Sequence, residues 1–157
     1  MAYHDDLLNL GMHLVLTAPS TQASLRRAVS SAYYAVFHLL IAESSSNWSN
    51  VKLRAALGRA YDHGTMKTAS NRLLSPRDFP FTGEDPRVVK DLRFIAQAFM
   101  QLQEDRHFAD YNLTKDLHPT QALSQVESAM KIFRVWPSIK SAQIAQEYLV
   151  SLVVRNR

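Results

Sequence analysis

Apolar residues recur at steps of three and four along most of this chain, which is the spacing of one face of an α-helix. Period-two alternation, the pattern of a half-buried strand, does not occur. The helices that this spacing predicts cover residues 4–17, 21–44, 51–63, 65–74, 86–110, 119–135 and 137–154. We therefore expect an all-α fold, an antiparallel bundle of four to five helices with short accessory helices.

Polar and proline-containing segments separate the predicted helices. The break at 17–21 contains one proline, the loop at 75–86 contains three of the six prolines, and 112–119 ends the second long helix. Gly64 follows an apolar segment and is predicted to end the third helix. Pro137 is predicted to open the last helix, because proline is favoured at the first helical position.

Length and composition narrow the class of protein. A chain of 157 residues predicts a single domain over 1–157. The absence of cysteine excludes disulfides, thiolate catalysis and cysteine-ligated metal sites. The net charge of +4 is compatible with a nucleic-acid partner without requiring one. No apolar run reaches membrane-spanning length and the first residues are acidic, so we expect a cytoplasmic protein that uses no membrane. The sequence indicates no cofactor and no metal site.

A polar stripe runs along the first long helix beside the apolar one. Arg27, Ser31, Tyr34 and His38 follow one another at steps of four, three and four, which places them on one helical face. Such a stripe has two interpretations. It is either a polar seam that is satisfied between packed helices, or the wall of a ligand-binding cleft.

The second long helix carries a cation at a position that its apolar stripe assigns to the core. Arg106 lies one turn beyond Leu102, and a buried guanidinium without a partner is very costly. Arg106 must therefore face a partner, a ligand or solvent, and Asp110, one turn further on, is the nearest candidate partner. His107 and Tyr111 share the adjacent face.

Two sequence blocks together resemble the HEPN superfamily (higher eukaryotes and prokaryotes nucleotide-binding), especially its small stand-alone prokaryotic members. They are Arg27-Ala-Val-Ser-Ser-Ala-Tyr-Tyr-Ala-Val-Phe-His38 and Arg106-His-Phe-Ala-Asp-Tyr111. The predicted order and length of the helices agree with that family over nearly the whole chain. The resemblance implies an antiparallel helical bundle that forms a homodimer with a cleft near its symmetry axis.

The resemblance also implies a class of function. Many such proteins are toxins or defence components, and the active ones are metal-independent ribonucleases with an Arg-x(4–6)-His motif. Many prokaryotic members pair with a minimal nucleotidyltransferase as antitoxin, which in some pairs adenylylates a Tyr close to that motif. The positions that match the family's polar cluster are Arg27, Tyr34, His38, Arg106, Asp110 and Tyr111.

This chain departs from the ribonuclease motif. The motif's His would follow Arg106 at position 111, 112 or 113, and Tyr111, Asn112 and Leu113 stand there. Metal-independent RNA cleavage needs a cation that stabilises the charge on the phosphorane and groups that transfer protons. Arg106 could supply the first, and His107 or His38 the second.

We expect a toxin–antitoxin or defence component that engages RNA or a nucleotide at a cleft between the long helices, with Arg106 and His107 as candidate catalytic residues. The alternative is a non-catalytic interaction or dimerisation module whose polar cluster is structural.

Overall fold

A computed structural model of the protein describes residues 1–17, 20–79 and 81–155, and no strand occurs among them. The helices are α1 (Tyr3–Leu16), α2 (Gln22–Ser46), a short 3₁₀ turn (Val51–Leu53), α3 (Arg54–Gly58), α4 (His63–Leu73), α5 (Pro86–Tyr111), α6 (Pro119–Ile139) and α7 (Gln143–Ser151). The predicted all-α fold is confirmed. The predicted break at 17–21 and the predicted loop at 75–86 fall partly on positions 18, 19 and 80, which lie outside the described residues.

The chain divides into two compact units. Unit 1 comprises Met1–His38 and Gln101–Arg134, and unit 2 comprises Leu39–Met100 and the chain from Val135 onward. Because α2, α5 and α6 contribute residues to both units, a unit boundary falls within each of these helices. The prediction of a single domain stays a prediction.

Unit 1 is an antiparallel arrangement of four helical segments. The start of α2 meets the end of α5, where Arg26 donates a hydrogen bond to the carbonyl oxygen of Ala109. Further along α2, Tyr34 lies against Arg106, which precedes Ala109 on α5. The two helices therefore run in opposite directions within this unit.

α1 packs closely on α2 and α6 within unit 1. A Cβ atom at Gly11 would stand 3.3 Å from the carbonyl oxygen of Ala28 and 3.7 Å from a methyl group of Val126. Near the start of α1, the Tyr3 ring lies 5.0 Å from that of His38. Because early α1 residues meet late α2 residues, α1 and α2 are antiparallel.

The core of unit 1 forms where the apolar stripes of its helices meet. Its buried members come from α2, α5, α6 and the segment before α6, with Val15 and Phe108 packed against them: Leu25, Val29, Ala109, Leu117 and Ala122. Burial of the three larger side chains, Leu25, Val29 and Leu117, contributes roughly 1.5–3 kcal/mol each to stability. This core fixes the ends of α2 and α5 that carry the polar cluster.

In unit 2, the predicted helix over 51–63 begins at Val51 as predicted but ends at Gly58, so its predicted end is wrong. The chain forms the 3₁₀ turn and α3 there, and α4 already begins at His63. The Asp62 side chain accepts a hydrogen bond from the backbone N–H of Thr65 at 2.8 Å and so caps α4. Gly64 therefore lies inside the first turn of α4 instead of ending the preceding helix.

The predicted helix start at Pro137 is also wrong. α6 continues through Pro137 to Ile139, and α7 begins only at Gln143. Trp136 and Ile139 are both buried, 1% and 3% exposed, so continuation of the helix keeps two large apolar side chains in the core. That gain outweighs the one backbone donor that proline lacks. Within the described residues, no helix is both long enough and apolar enough to span a bilayer.

Candidate functional site

Arg106 lies in the interior of unit 1, as its place in the apolar stripe of α5 predicts. Only 9% of the residue is exposed. Its guanidinium carbon lies 5.1 Å from the ring centre of Tyr33 and 5.7 Å from that of Tyr34. A cation at this distance from an aromatic face is attracted by the ring quadrupole, most strongly where water is excluded. The two tyrosines of α2 thus form a cradle for the Arg106 charge.

The predicted pairing of Arg106 with Asp110 is confirmed, although the contact is long. Nη1 of Arg106 lies 3.8 Å from Oδ2 of Asp110, within ion-pair range but beyond hydrogen-bond distance. Nε of Arg106 is buried and has no hydrogen-bond partner in the described part of the chain. The guanidinium is therefore only partly satisfied by the protein itself.

Tyr33 is fully buried beside this cation. Burial raises the pKa of its phenol strongly, while the charge and hydrogen bonding of Arg106 act in the opposite direction. The phenol therefore stays neutral across the physiological range and provides a ring face and a hydroxyl instead of a negative charge. Aromatic residues at helical spacing are usually core residues, and Tyr33 follows that expectation.

His38 and Tyr34 belong to an aromatic cluster that continues along α2. The ring of His38 lies 6.3 Å from that of Tyr34, 5.2 Å from that of Phe37 and 5.0 Å from that of Tyr3 on α1. Tyr34, which lies against Arg106, is half-buried. The structure thus brings together Arg106, Asp110, Tyr34 and, through Tyr34, His38.

Arg27 does not join this group. It is exposed, and no hydrogen bond, ion pair or ring contact connects it to the described residues. The steps of four and three place Arg27 on the face of α2 that carries Tyr34 and His38. The arginine that packs against α5 is instead Arg26, one position earlier in the chain. The predicted role of Arg27 in binding rests on the sequence resemblance alone.

His107 and Tyr111 form an exposed pair at the end of α5. Their ring centres lie 4.9 Å apart, and 68% of Tyr111 is exposed. The prediction that they share one helical face is confirmed. Both side chains are open to a partner molecule on the surface of unit 1.

Arg26, for which the sequence predicts no role, anchors the end of α5. Its guanidinium donates hydrogen bonds to the backbone carbonyls of Ala109 at 2.9 Å, Asn112 at 2.7 Å and Lys115 at 2.5 Å. Gln22, one turn earlier, donates to the Leu117 carbonyl and accepts from the Leu117 N–H. We call these two side chains the α2 anchor. It holds the helix that carries Arg106 against the start of α2.

Comparison with known proteins adds no relative: no family model, curated protein or solved structure matches this chain.

Proposed function

We propose that the protein is a HEPN-like, homodimeric component of a toxin–antitoxin or defence module and that Arg106 binds a phosphate of RNA or of a nucleotide. One observation carries this proposal. The guanidinium of Arg106 is positioned by Tyr33 and Tyr34, its Nε has no hydrogen-bond partner in the described residues, and its counter-ion lies 3.8 Å away.

The chemistry of guanidinium favours phosphate as the missing partner. A guanidinium presents planar, forked donors that match two phosphate oxygens at once, and such charge-assisted bonds are strong. The aromatic cradle fixes the position of the fork before a ligand arrives, so less side-chain entropy is lost on binding. The partly exposed Tyr34 ring offers a face on which a base could stack. Asp110 opposes the anion and limits its affinity.

The exposed pair at the end of α5 has a separate role in this proposal. His107, the exposed residue that follows Arg106 in the chain, would transfer a proton if the protein cleaves RNA. Tyr111 would be the contact or modification site for a partner nucleotidyltransferase. In that reaction the phenol oxygen attacks the α-phosphate of ATP, the phenol loses its proton, and pyrophosphate leaves. The exposure of Tyr111 supports this role, because the attacking oxygen must reach another protein's active site.

A second candidate function is a non-catalytic interaction module. The burial of Arg106 against two rings favours it, because such packing stabilises a helix pair without any ligand. In this case Arg106 would be a structural residue only. Measurements of RNA binding and of fold stability in an Arg106 variant therefore distinguish the two functions.

The test measures RNA binding and cleavage by the purified protein in EDTA. Binding is followed by fluorescence anisotropy of a labelled mixed-sequence single-stranded RNA, and cleavage of the same RNA is followed on a gel. Arg106→Met removes the charge and keeps an apolar side chain of similar length. Arg134→Met is the matched control, because Arg134 is an exposed arginine of the same unit.

We expect Arg106→Met to bind RNA about tenfold more weakly than the wild type, the loss of one charged hydrogen-bonding contact. The slope of log Kd against log salt concentration should decrease by about one, which is the contribution of one phosphate contact. Arg134→Met should change Kd by no more than about twofold and leave the salt dependence as in the wild type. Sedimentation velocity should show a dimer. RNA binding that is equal in wild type and Arg106→Met would reject the proposed site, and a correctly folded wild type that binds neither RNA nor a nucleotide would favour the interaction module.

A further inference from the structure

A cavity of about 450 Å³ opens in unit 1 beside the core. Its floor is apolar and comes from Val29 of α2, Phe108 of α5 and Leu117. Its walls carry polar side chains from α5 and α6, among them Asp105 and Gln125. Several of the wall residues are exposed, so a small molecule can enter from solvent.

Asp105 is the one charged side chain among the described residues that line this cavity. It is half-buried, and Nε2 of Gln101 donates a hydrogen bond to its Oδ1 at 3.1 Å. No Lys, Arg or His in the described ranges lies within ion-pair distance of it. Burial raises the pKa of this carboxyl, and the neighbouring Glu104 charge adds to the rise. A cation in the cavity would relieve both costs.

Gln125 supplies a second acceptor without a partner. Its amide oxygen is shielded from solvent and accepts no hydrogen bond from the described residues. A buried acceptor that stays unsatisfied is costly, and a donor in the cavity would satisfy it after a small rotation of the amide. The lining thus provides the Asp105 carboxylate, an amide oxygen that such a rotation would turn towards the cavity, and apolar side chains.

We propose that this cavity binds a small organic cation, an alkylguanidinium or alkylammonium compound. The charged head pairs with Asp105 and donates to Gln125, while the alkyl part covers Phe108 and Leu117. An anionic ligand is disfavoured because Asp105 would repel it. The site is chemically opposite to the phosphate site at Arg106, so it does not depend on the function proposed above.

The test is a ¹H–¹⁵N NMR titration of the full chain at pH 7.5 with N-butylguanidinium, compared with N-butylurea. The two probes have nearly the same shape, and only the first is charged. Asp105→Asn removes the carboxylate and keeps its size. Glu104→Gln is the matched control, since it removes the exposed neighbouring carboxylate that does not line the cavity.

We expect N-butylguanidinium to shift the amide signals of residues around the cavity, with N-butylurea binding at least about tenfold more weakly. Asp105→Asn should lose a similar factor, and Glu104→Gln should stay within about twofold of the wild type. Arg106→Met should bind the cation as the wild type does, which separates this proposal from the phosphate site. Equal binding of the two probes, unchanged affinity in Asp105→Asn, or shifts confined to residues away from the cavity would overturn the proposal.

Discussion

Loss of Arg26 is expected to destabilise the fold of unit 1, and its neighbour Arg27 provides the control. Arg26→Met removes donors from three backbone carbonyls at 2.5–2.9 Å and the guanidinium that lies 5.8 Å from the Phe108 ring centre. Arg27→Met removes an exposed charge with no described contact. The two variants make the same chemical change at adjacent positions.

The expected cost follows from where the carbonyls lie. A hydrogen bond from a charged donor contributes roughly 1.5–3 kcal/mol. Lys115 is exposed, so water replaces Arg26 there at little cost, whereas Ala109 is 2% exposed and its carbonyl lies beside the core. We therefore expect a total loss of about 3 kcal/mol for Arg26→Met, and less than about 0.5 kcal/mol for Arg27→Met.

Urea denaturation followed by circular dichroism measures both free energies of unfolding. For a chain of this size, the loss in Arg26→Met corresponds to a Tm about 6–12 °C lower. Arg26→Lys should fall between the wild type and Arg26→Met, because an ammonium keeps the charge but cannot present the planar fork. Equal stabilities of the Met variants at 26 and 27, or a loss below about 1 kcal/mol in Arg26→Met, would refute the anchoring role.

Two further predictions concern unit 2. Hydrogen bonds from the backbone and side chain of Thr65 hold the pKa of Asp62 at about 2, below its ordinary value of 3.8, so its contribution to stability is present above about pH 4 and is lost as the pH falls towards 2. Asp62→Asn keeps a capping oxygen that does not titrate, so its urea midpoint should fall less between pH 4 and 2 than that of the wild type or of the exposed control Asp78→Asn; parallel curves would contradict this. The buried hydroxyls of Ser70 and Tyr148 lie 2.7 Å apart, and Ser70 also donates to the Met66 carbonyl. Because the one hydroxyl proton of Ser70 goes to the Met66 carbonyl, Tyr148 donates the bond between the two hydroxyls. Ser70→Ala leaves the buried Tyr148 hydroxyl without a partner and should cost about 2 kcal/mol, whereas Tyr148→Phe should cost about 1 kcal/mol. The reverse order in urea denaturation would contradict this direction.

The long helices could be predicted closely from the chain alone. α1 and α5 each lie within one residue of their predicted bounds at both ends, because apolar periodicity and a proline at the first helical position are local signals. The error at Gly64 arose where one local signal, the Asp62 cap, outweighed another, and the error at Pro137 arose where a local signal competed with tertiary burial. A glycine such as Gly64 often ends a helix, but the Asp62 cap starts one there. A proline such as Pro137 often opens a helix, but the burial of Trp136 and Ile139 keeps α6 continuous through it.

The residues of the candidate site also divide into those that local spacing predicts and those that it does not. Arg106 and Asp110 could be paired from their spacing, since both lie on one helix one turn apart. The choice between Arg26 and Arg27 could not be made, because the carbonyls that Arg26 binds lie 83–89 residues away along the chain. The cavity at Asp105 has no local signal either, since its floor joins residues from α2, α5 and the segment before α6.

The sequence by itself determined the helical class, the positions of the long helices and the presence of a cation in an apolar stripe, because each depends on residues within a few turns of one another. Only the tertiary structure decided that Arg106 lies over Tyr33 and Tyr34, that Arg26 binds the end of α5, and that Asp105 lines a cavity. These features depend on which helices pack together and at what rotation. A rotation of one residue, 100° around the helix axis, exchanges the half-buried, hydrogen-bonded Arg26 for the exposed Arg27.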